Sequence, residues 1–354
     1  MRGITSRPSI GRGATLLAGA AALLFCTITL VAAEGPAPTA AAKRTDAVRR
    51  GLDWLAGRQG KQGEYAKGTS PGFSNNVAVT SLAGLAFLAS GSTPEQGPYA
   101  KTLDVALRYI LSCQSVETGL IADPASQPPM YAHGYATLFL AEICIREKNA
   151  TALKALRKAV DLLSNTQNDA GGWRYQPQRR DADISVTACE LNALLAARSA
   201  GIEVNGKTID AATAYIRKCQ NPDGGFSYMA GQGVGSGLPR SAAAVAVILH
   251  GGAKPSDGDV SRAINYILPF FRQERRGDRN AGHYYYGMYY ASQWLLSGGD
   301  DKRQAYDRLG AEVLAAQRPD GSWRDDFSED YATANALIIL QAPDRKLWAF
   351  GGAR

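Results

Sequence analysis

The sequence predicts an all-α protein, an α6/α6 toroid in which six inner helices stand inside a ring of six outer ones. Three observations carry this. A glutamine–glycine–aromatic signature recurs at near-constant spacing, amphipathic stretches precede the glutamines, and almost uncharged apolar stretches follow the turns.

The glutamines are Gln59, Gln114, Gln167, Gln220, Gln273 and Gln317, at intervals of 55, 53, 53, 53 and 44 residues. A fixed period of this kind marks a repeat architecture. In five of the six units the turn that follows reads Gly-x-aromatic: Gly63–Tyr65, Gly171–Trp173, Gly224–Phe226, Gly282–Tyr284 and Gly321–Trp323. The second unit is degenerate, with Leu120 and Ile121 after Gly119. Stretches such as Asn221-Pro-Asp-Gly-Gly and Arg318-Pro-Asp-Gly-Ser are strong turns, because Pro presets φ and Gly permits φ > 0. The glutamine amide is expected to bond backbone groups left open at helix ends, with the aromatic packed over it. Glutamine, glycine and aromatic are therefore read as fastening residues.

The segments on the two sides of each turn differ. Before the glutamines, 101–113 carries Lys101, Asp104 and Arg108, and 151–164 carries Lys154, Arg157, Lys158 and Asp161. Their apolar residues recur at spacings of three and four, which is one helical face. After the turns, 77–89, 241–249, 287–296 and 331–342 carry no charge. A helix apolar all round must be buried all round. Each unit thus supplies one outer and one inner helix, and a ring of six buries both kinds. An open solenoid would need polar capping repeats at its ends, and the sequence has none. A β-propeller is excluded by segments rich in Ala and Leu.

The chain has 354 residues, 45% hydrophobic and 20% charged, enough for one large or two modest domains. Arg2, Arg7 and Arg12 precede an uncharged run from Ala14 to Ala33 that ends in Val31, Ala32 and Ala33. This predicts a signal peptide over 1–33, a linker over 34–44 and the toroid over 45–350. The expected location is the periplasm or cell surface. An uncleaved membrane anchor is the alternative, because the run approaches the roughly 20 residues that span a bilayer. Cys26 follows Phe25, too bulky for a lipoprotein cleavage site. Removing 1–33 lowers the formal charge from +7 to +4, and no dense basic run is interleaved with aromatics. Nucleic acid is therefore not an expected partner. Cys113, Cys144, Cys189 and Cys219 lie within helical patterns without metal-ligand spacing, so buried thiols are expected rather than disulfides.

The Gln…Gly-x-Trp unit resembles the repeat of the squalene cyclase and protein prenyltransferase β-subunit superfamily. The stretches Met130-Tyr-Ala-His-Gly-Tyr-Ala-Thr-Leu-Phe-Leu-Ala-Glu142, Gly172-Trp-Arg-Tyr175 and Tyr284-Tyr-Tyr-Gly-Met-Tyr-Tyr290 resemble exported bacterial members with prenyltransferase/squalene-oxidase repeats. The resemblance runs from about Thr45 to Gln341. It implies the toroid but no single activity, because members differ in chemistry. Cyclases of the superfamily protonate an alkene with Asp-x-Asp-Asp. The nearest match here is Asp181-Ala-Asp183-Ile184, with Ile184 in place of the last aspartate. The prenyltransferase Asp-Gly-Cys landmark and the thioester Cys-Gly-Glu-Gln motif are absent.

In a toroid the inner helices start at one rim, where Asn75, Asn76, His133, Asp181, Asp183, Arg240, Tyr285, Tyr286, Glu329 and Asp330 would converge. Asp181 and Asp183 are the catalytic candidates, and N-capping of the following helix is their structural alternative. His133, Tyr285, Tyr286, Tyr289, Glu142 and Glu190 are the ligand-binding candidates. Glu142 and Glu190 lie mid-helix in apolar segments, where an unpaired carboxylate is costly. They either face the channel, with a raised pKa, or pair with Arg or Lys. The tyrosine run suits an isoprenoid or a sugar face as well as plain packing. His250 is read as a helix C-terminal residue. Neither a metal nor a cofactor is assigned. Two functions stay open: a toroid that binds and converts an apolar, isoprenoid-like ligand, or a non-catalytic toroid for a protein or glycan. An open apolar channel favours the first, and a plugged one the second.

Overall fold

A computed structural model describes residues 39–65, 76–124, 126–232, 235–272 and 283–351, with the side chain of Asn76 excepted. The expected signal peptide and residues 34–38 of the linker lie outside these, as do Asn75, Gln273 and Gly282. Residues 40–44, expected as linker, are helical instead. Ala40-Ala-Ala-Lys-Arg44 is a run of strong helix formers, and Arg44 is tied down by Nη1 donating to the carbonyl of Leu340 at 3.2 Å.

The described residues form twelve α-helices that alternate between two rings. The outer helices are α1 (Ala40–Arg58), α3 (Ala100–Ser112), α5 (Ala150–Thr166), α7 (Gly206–Lys218), α9 (Gly258–Phe271) and α11 (Asp300–Ala315). The inner ones are α2 (Asn76–Ala89), α4 (Pro129–Arg146), α6 (Ile184–Ser199), α8 (Leu238–His250), α10 (Tyr284–Leu295) and α12 (Glu329–Gln341). Each inner helix packs on the next around the ring, and α12 packs on α2, so the ring is closed. The inner helices are buried almost end to end, as their largely apolar sequences require.

The fastening residues close this ring. The amides of Gln59, Gln114, Gln167, Gln220 and Gln317 donate to carbonyls early in the next outer helix, those of Thr102, Ala155, Thr208, Asp259 and Ala47, at 2.8–2.9 Å. Each also donates to the glycine carbonyl of its own turn. The glycine is demanded twice over. Gly171 has φ of 96°, and a Cβ there would stand 2.3 Å from the carbonyl oxygen of Ala211 in the next outer helix.

A second tie joins each turn to its inner helix. The backbone N–H of Tyr65, Trp173, Phe226 and Trp323 donates to the hydroxyl of Thr80, Thr187, Ser241 and Thr333, at 2.9–3.1 Å. In the degenerate second unit the acceptor is His133, whose Nδ1 takes the N–H of Ile121 at 3.1 Å.

The chain end crosses the ring at the C-terminal ends of the inner helices. The Trp348 N–H donates to Glu142 Oε1 at 2.8 Å on α4. His250 Nε2 on α8 bonds the carbonyl of Ala349 at 3.1 Å, and Arg345 donates to the carbonyl of Leu296 just past α10 at 3.3 Å. Because α4 and α10 face each other across the ring, this segment plugs one mouth of the channel. All four described cysteines are free thiols; Cys189 and Cys219 are buried, and Cys113 and Cys144 are half-buried. No helix of the described residues is long and apolar enough to cross a membrane.

Candidate functional site

At the other mouth, where the inner helices begin, the ring encloses a cavity of about 780 Å³. Among the described residues the channel is thus a blind cup, open at one end and plugged at the other. Its wall is built in layers. Ala78 and Leu82 of α2 supply a flat aliphatic side. Tyr131 and Tyr135 of α4, Tyr286 of α10 and Tyr331 of α12 supply aromatic faces. Arg240 in the first turn of α8 and the segments leading into the inner helices, with Gln127, Tyr175, Tyr228, His283 and Phe327, add a rim.

The aromatic layer is tied internally. The Tyr286 hydroxyl donates to the carbonyl of Ser185 at 3.1 Å, linking α10 to α6. Tyr289 and Tyr290 lie one turn further along α10 and pack behind this layer: Tyr289 meets Tyr135 edge-on at 6.3 Å, and Tyr290 meets Tyr286 at 4.9 Å. Burial pushes the phenols of Tyr131, Tyr135 and Tyr286 well above the ordinary range, so all three are neutral. At the rim the Tyr175 and Tyr228 hydroxyls bond each other at 2.6 Å, and His283 stacks on Phe327 at 5.3 Å. His283 holds the left-handed conformation, with φ of 58°.

The two catalytic candidates part company. Asp183 is fully buried and caps α6: Oδ1 accepts from the N–H groups of Ser185 and Val186 at 2.9 and 3.0 Å. Its Oδ2 lies 3.9 Å from Arg174 Nε, and the Tyr228 side chain also acts to lower the pKa of the carboxyl. Burial raises its pKa to about 6, against the two capping N–H groups. It sits behind the wall, close enough for its charge to add to the effect of burial on Tyr131, Tyr228 and Tyr286. Asp181 is exposed and paired with Arg174, which holds its carboxyl below the usual range.

Of the ligand-binding candidates, Tyr286 alone lies on the cup wall. His133 is fully buried with both ring nitrogens committed, Nδ1 to Ile121 and Nε2 to the carbonyl of Ala159 at 3.1 Å, because it fills the place a hydroxyl takes in the other units. Tyr285 is buried off the cup wall, edge-on against Tyr284 at 5.2 Å and near Asp325 and Glu312. Tyr289 packs behind the wall, against Tyr135. Glu142 pairs with Arg146 and holds the plug. Glu190 faces neither the cup nor a cation: its carboxyl packs against Gly134 of α4, and both oxygens lack hydrogen bonds. Asp330 pairs with Arg58 at 3.1 Å and Glu329 with Arg318. Among the described residues no three His, Cys, Asp or Glu side chains gather as metal ligands.

Sequence reasoning did not single out Tyr131, Tyr135, Tyr175, Tyr228 or Phe327. Tyr131 and Tyr135 carried a usable signal, because they flank His133 four residues apart at an inner-helix start.

Comparison with known proteins agrees with this architecture. The type II terpene cyclase MstE from Scytonema superposes with a TM-score of 0.63 at 13% identity, over 86% of this chain and 99% of that one. A cellobiose 2-epimerase from Spirochaeta thermophila gives 0.64 at 12% identity, over 86% and 98%. At such identities the likeness is one of fold alone. In sequence, a drimenyl diphosphate synthase from Streptomyces showdoensis is 27% identical over 190 residues, 51% of this chain and 34% of that one. A second, from Streptantibioticus cattleyicolor, is 30% identical over 200 residues, 51% and 35%. The chain therefore matches about a third of the length of these relatives. The family model described as the prenyltransferase alpha-alpha toroid domain matches residues 11–143 and 76–280, more than half of the chain, and the chain belongs to that family.

Proposed function

We propose that this toroid binds an apolar, isoprenoid-like ligand in its blind cup. The observation that carries the reading is the cup itself: about 780 Å³ walled by tyrosines and aliphatic side chains, with one mouth open and the other plugged. Cavities of this size and lining hold drug-sized apolar molecules and bury most of their surface. The name of the matched relatives, drimenyl diphosphate synthase, supports the same ligand class. Conversion would in addition require the Asp183 carboxyl, whose pKa burial raises to about 6, to reach the ligand from behind the wall.

Native mass spectrometry with solvent extraction tests this. A co-purifying polyprenyl or terpenoid species, lost on Tyr286→Ala, supports the reading. An empty protein that takes up no prenyl chain when one is supplied overturns it. Product analysis on wild type and Asp183→Asn then separates binding from conversion.

A glycan in the same cup is the second reading, favoured by Tyr175, an exposed aromatic residue at the rim with the Arg174 guanidinium 5.2 Å from its ring centroid. Among the described residues the wall carries no Asp or Glu, so the paired carboxylates of glycoside hydrolysis are not provided there. Retention of oligosaccharide in place of lipid in the same extraction favours this reading over the first.

We also infer export, supported by Arg2, Arg7, Arg12 and the apolar run through Ala33. An amino terminus at Glu34 in the mature protein supports it. A start at Met1 in protein retained in the cytoplasm overturns it.

A further inference from the structure

The plug is an addition to a ring that is already closed. Gln317 bonds the carbonyl of Ala47, Gln341 Nε2 donates to that of Ala86 at 3.0 Å, and Arg44 donates to that of Leu340. These bonds tie the last unit to the first, and none uses a residue beyond Gln341. Residues 342–351 then cross the mouth in two short 3-10 turns, with Leu347, Ala349 and Phe350 buried. The crossing starts at Arg345, whose backbone is left-handed with φ of 49°, a conformation that L side chains rarely adopt. The ring grips the backbone of this segment. Glu142 takes the N–H of Trp348, Arg146 donates to the carbonyl of Lys346, and His250 bonds the carbonyl of Ala349.

His250 is where this grip responds to protons. Its ring stacks on Trp348 with centroids 4.9 Å apart, and Nδ1 lies 3.0 Å from the Asn192 side-chain amide of α6. Burial lowers its pKa to about 4, with the Ala349 carbonyl acting the other way. Lifting the plug uncovers the ring and lets it titrate near the ordinary 6.5, so protons favour the lifted plug as pH falls from about 6.5 toward 4. Glu142 has the opposite sense. Burial raises its pKa, against Arg146 and the Trp348 N–H, so its proton favours the seated plug. The other charged groups at the plug are Arg44 paired with Asp344, Arg146 paired with Glu142, and the plug's own Arg345 and Lys346.

We propose that the plug is an acid-released stopper: protonation of His250 lets residues 345–351 lift off the completed ring and turns the blind cup into a channel open at both ends. The proposal is independent of which ligand the cup holds, because every group it uses lies at the plugged mouth.

The test is amide hydrogen exchange on the purified full chain at pH 7 and pH 5, corrected for the intrinsic rate at each pH. The reporters are the N–H groups of Trp348, Phe350 and Gly351, bonded to Glu142 and to the carbonyls of Leu347 and Trp348. Amides within α4, α6 and α8 are the reference. Titration of His250 between about 4 seated and 6.5 lifted raises the opening equilibrium of the plug by about 20-fold from pH 7 to pH 5. The reference amides should not follow. His250→Gln should abolish the rise. Glu142→Gln keeps an acceptor for the Trp348 N–H but takes no proton, and should leave the rise at least as large. A plug whose opening is the same at both pH values overturns the proposal in wild type alone, whether or not a variant folds. A rise shared equally by the inner helices overturns it too, since the ring would then open as a whole. So does a rise that survives in His250→Gln or vanishes in Glu142→Gln.

Discussion

The side-chain amide of Gln317 donates to the carbonyl of Ala47 at 2.8 Å, joining two residues 270 positions apart. The same bond recurs at Gln59, Gln114, Gln167 and Gln220, but there it joins neighbouring units. Only at Gln317 does it tie the last turn to the first outer helix. Gln317→Ala removes one donor and leaves two part-buried carbonyls without it. The expected loss is about 1–3 kcal/mol in denaturant unfolding. If ring closure is the role of this bond, α1 should also gain amide hydrogen exchange selectively in the variant. Exchange unchanged in α1 would refute that role.

Gly171 and Gly201 separate two reasons for glycine. Both have positive φ, 96° and 83°. A Cβ at Gly171 would lie 2.3 Å from the Ala211 carbonyl oxygen, whereas at Gly201 it would meet nothing within 4 Å. Gly201→Ala should therefore cost about 1 kcal/mol, from backbone conformation alone. Gly171→Ala adds a backbone clash with the next outer helix and should cost about 3 kcal/mol or more. Similar losses for both in urea melts would contradict the packing explanation.

His133 should impose an acid limit on stability. Burial lowers its pKa to about 4, against an ordinary value of 6.5. The folded pKa lies below the unfolded one, so between these values the unfolded chain binds the proton first. The contribution of His133 is complete above about pH 6.5 and is lost as pH falls toward 4. His250, also lowered to about 4 by burial, acts in the same direction on the plug. His133→Thr installs the residue type that accepts the same bond in Thr80, Thr187 and Thr333. Its melting temperature should fall less than that of wild type between pH 6.5 and 4. Parallel pH profiles for the two proteins would rule out this titration.

The parts legible in the sequence were those written in short-range spacing. The turn from Gln167 to Trp173 needs only its own seven residues to be recognised, and a charge-free stretch such as 331–342 has to be buried wherever it lies. The expected blind spot was distance in sequence. Glu142 was legible as an anomaly, but its partner Trp348 lies 206 residues away, so the plug was not foreseen. The discriminator of open against plugged channel consequently met both answers, one at each end. His133 looked like a rim group because it begins an inner helix, yet helical position does not say which way a side chain points. Tyr175, Tyr228 and Phe327 were missed because irregular segments carry no periodicity to place them on a face.

Glu190 offers a test in which removing a charge should strengthen the fold. Its carboxyl is fully buried on α6 against Gly134, with no hydrogen bond to either oxygen. Burial raises its pKa well above the ordinary 4.5. The folded pKa exceeds the unfolded one, so the unfolded chain is favoured increasingly as pH rises above about 4.5. Glu190→Met is close in volume and carries no polar atom that needs a partner. It should raise stability by about 1–3 kcal/mol at neutral pH and by less at pH 4.5. A gain that is equal at both pH values would assign the effect to packing instead of protonation. A loss at both would mean that the carboxyl holds a partner essential to the α4–α6 seam.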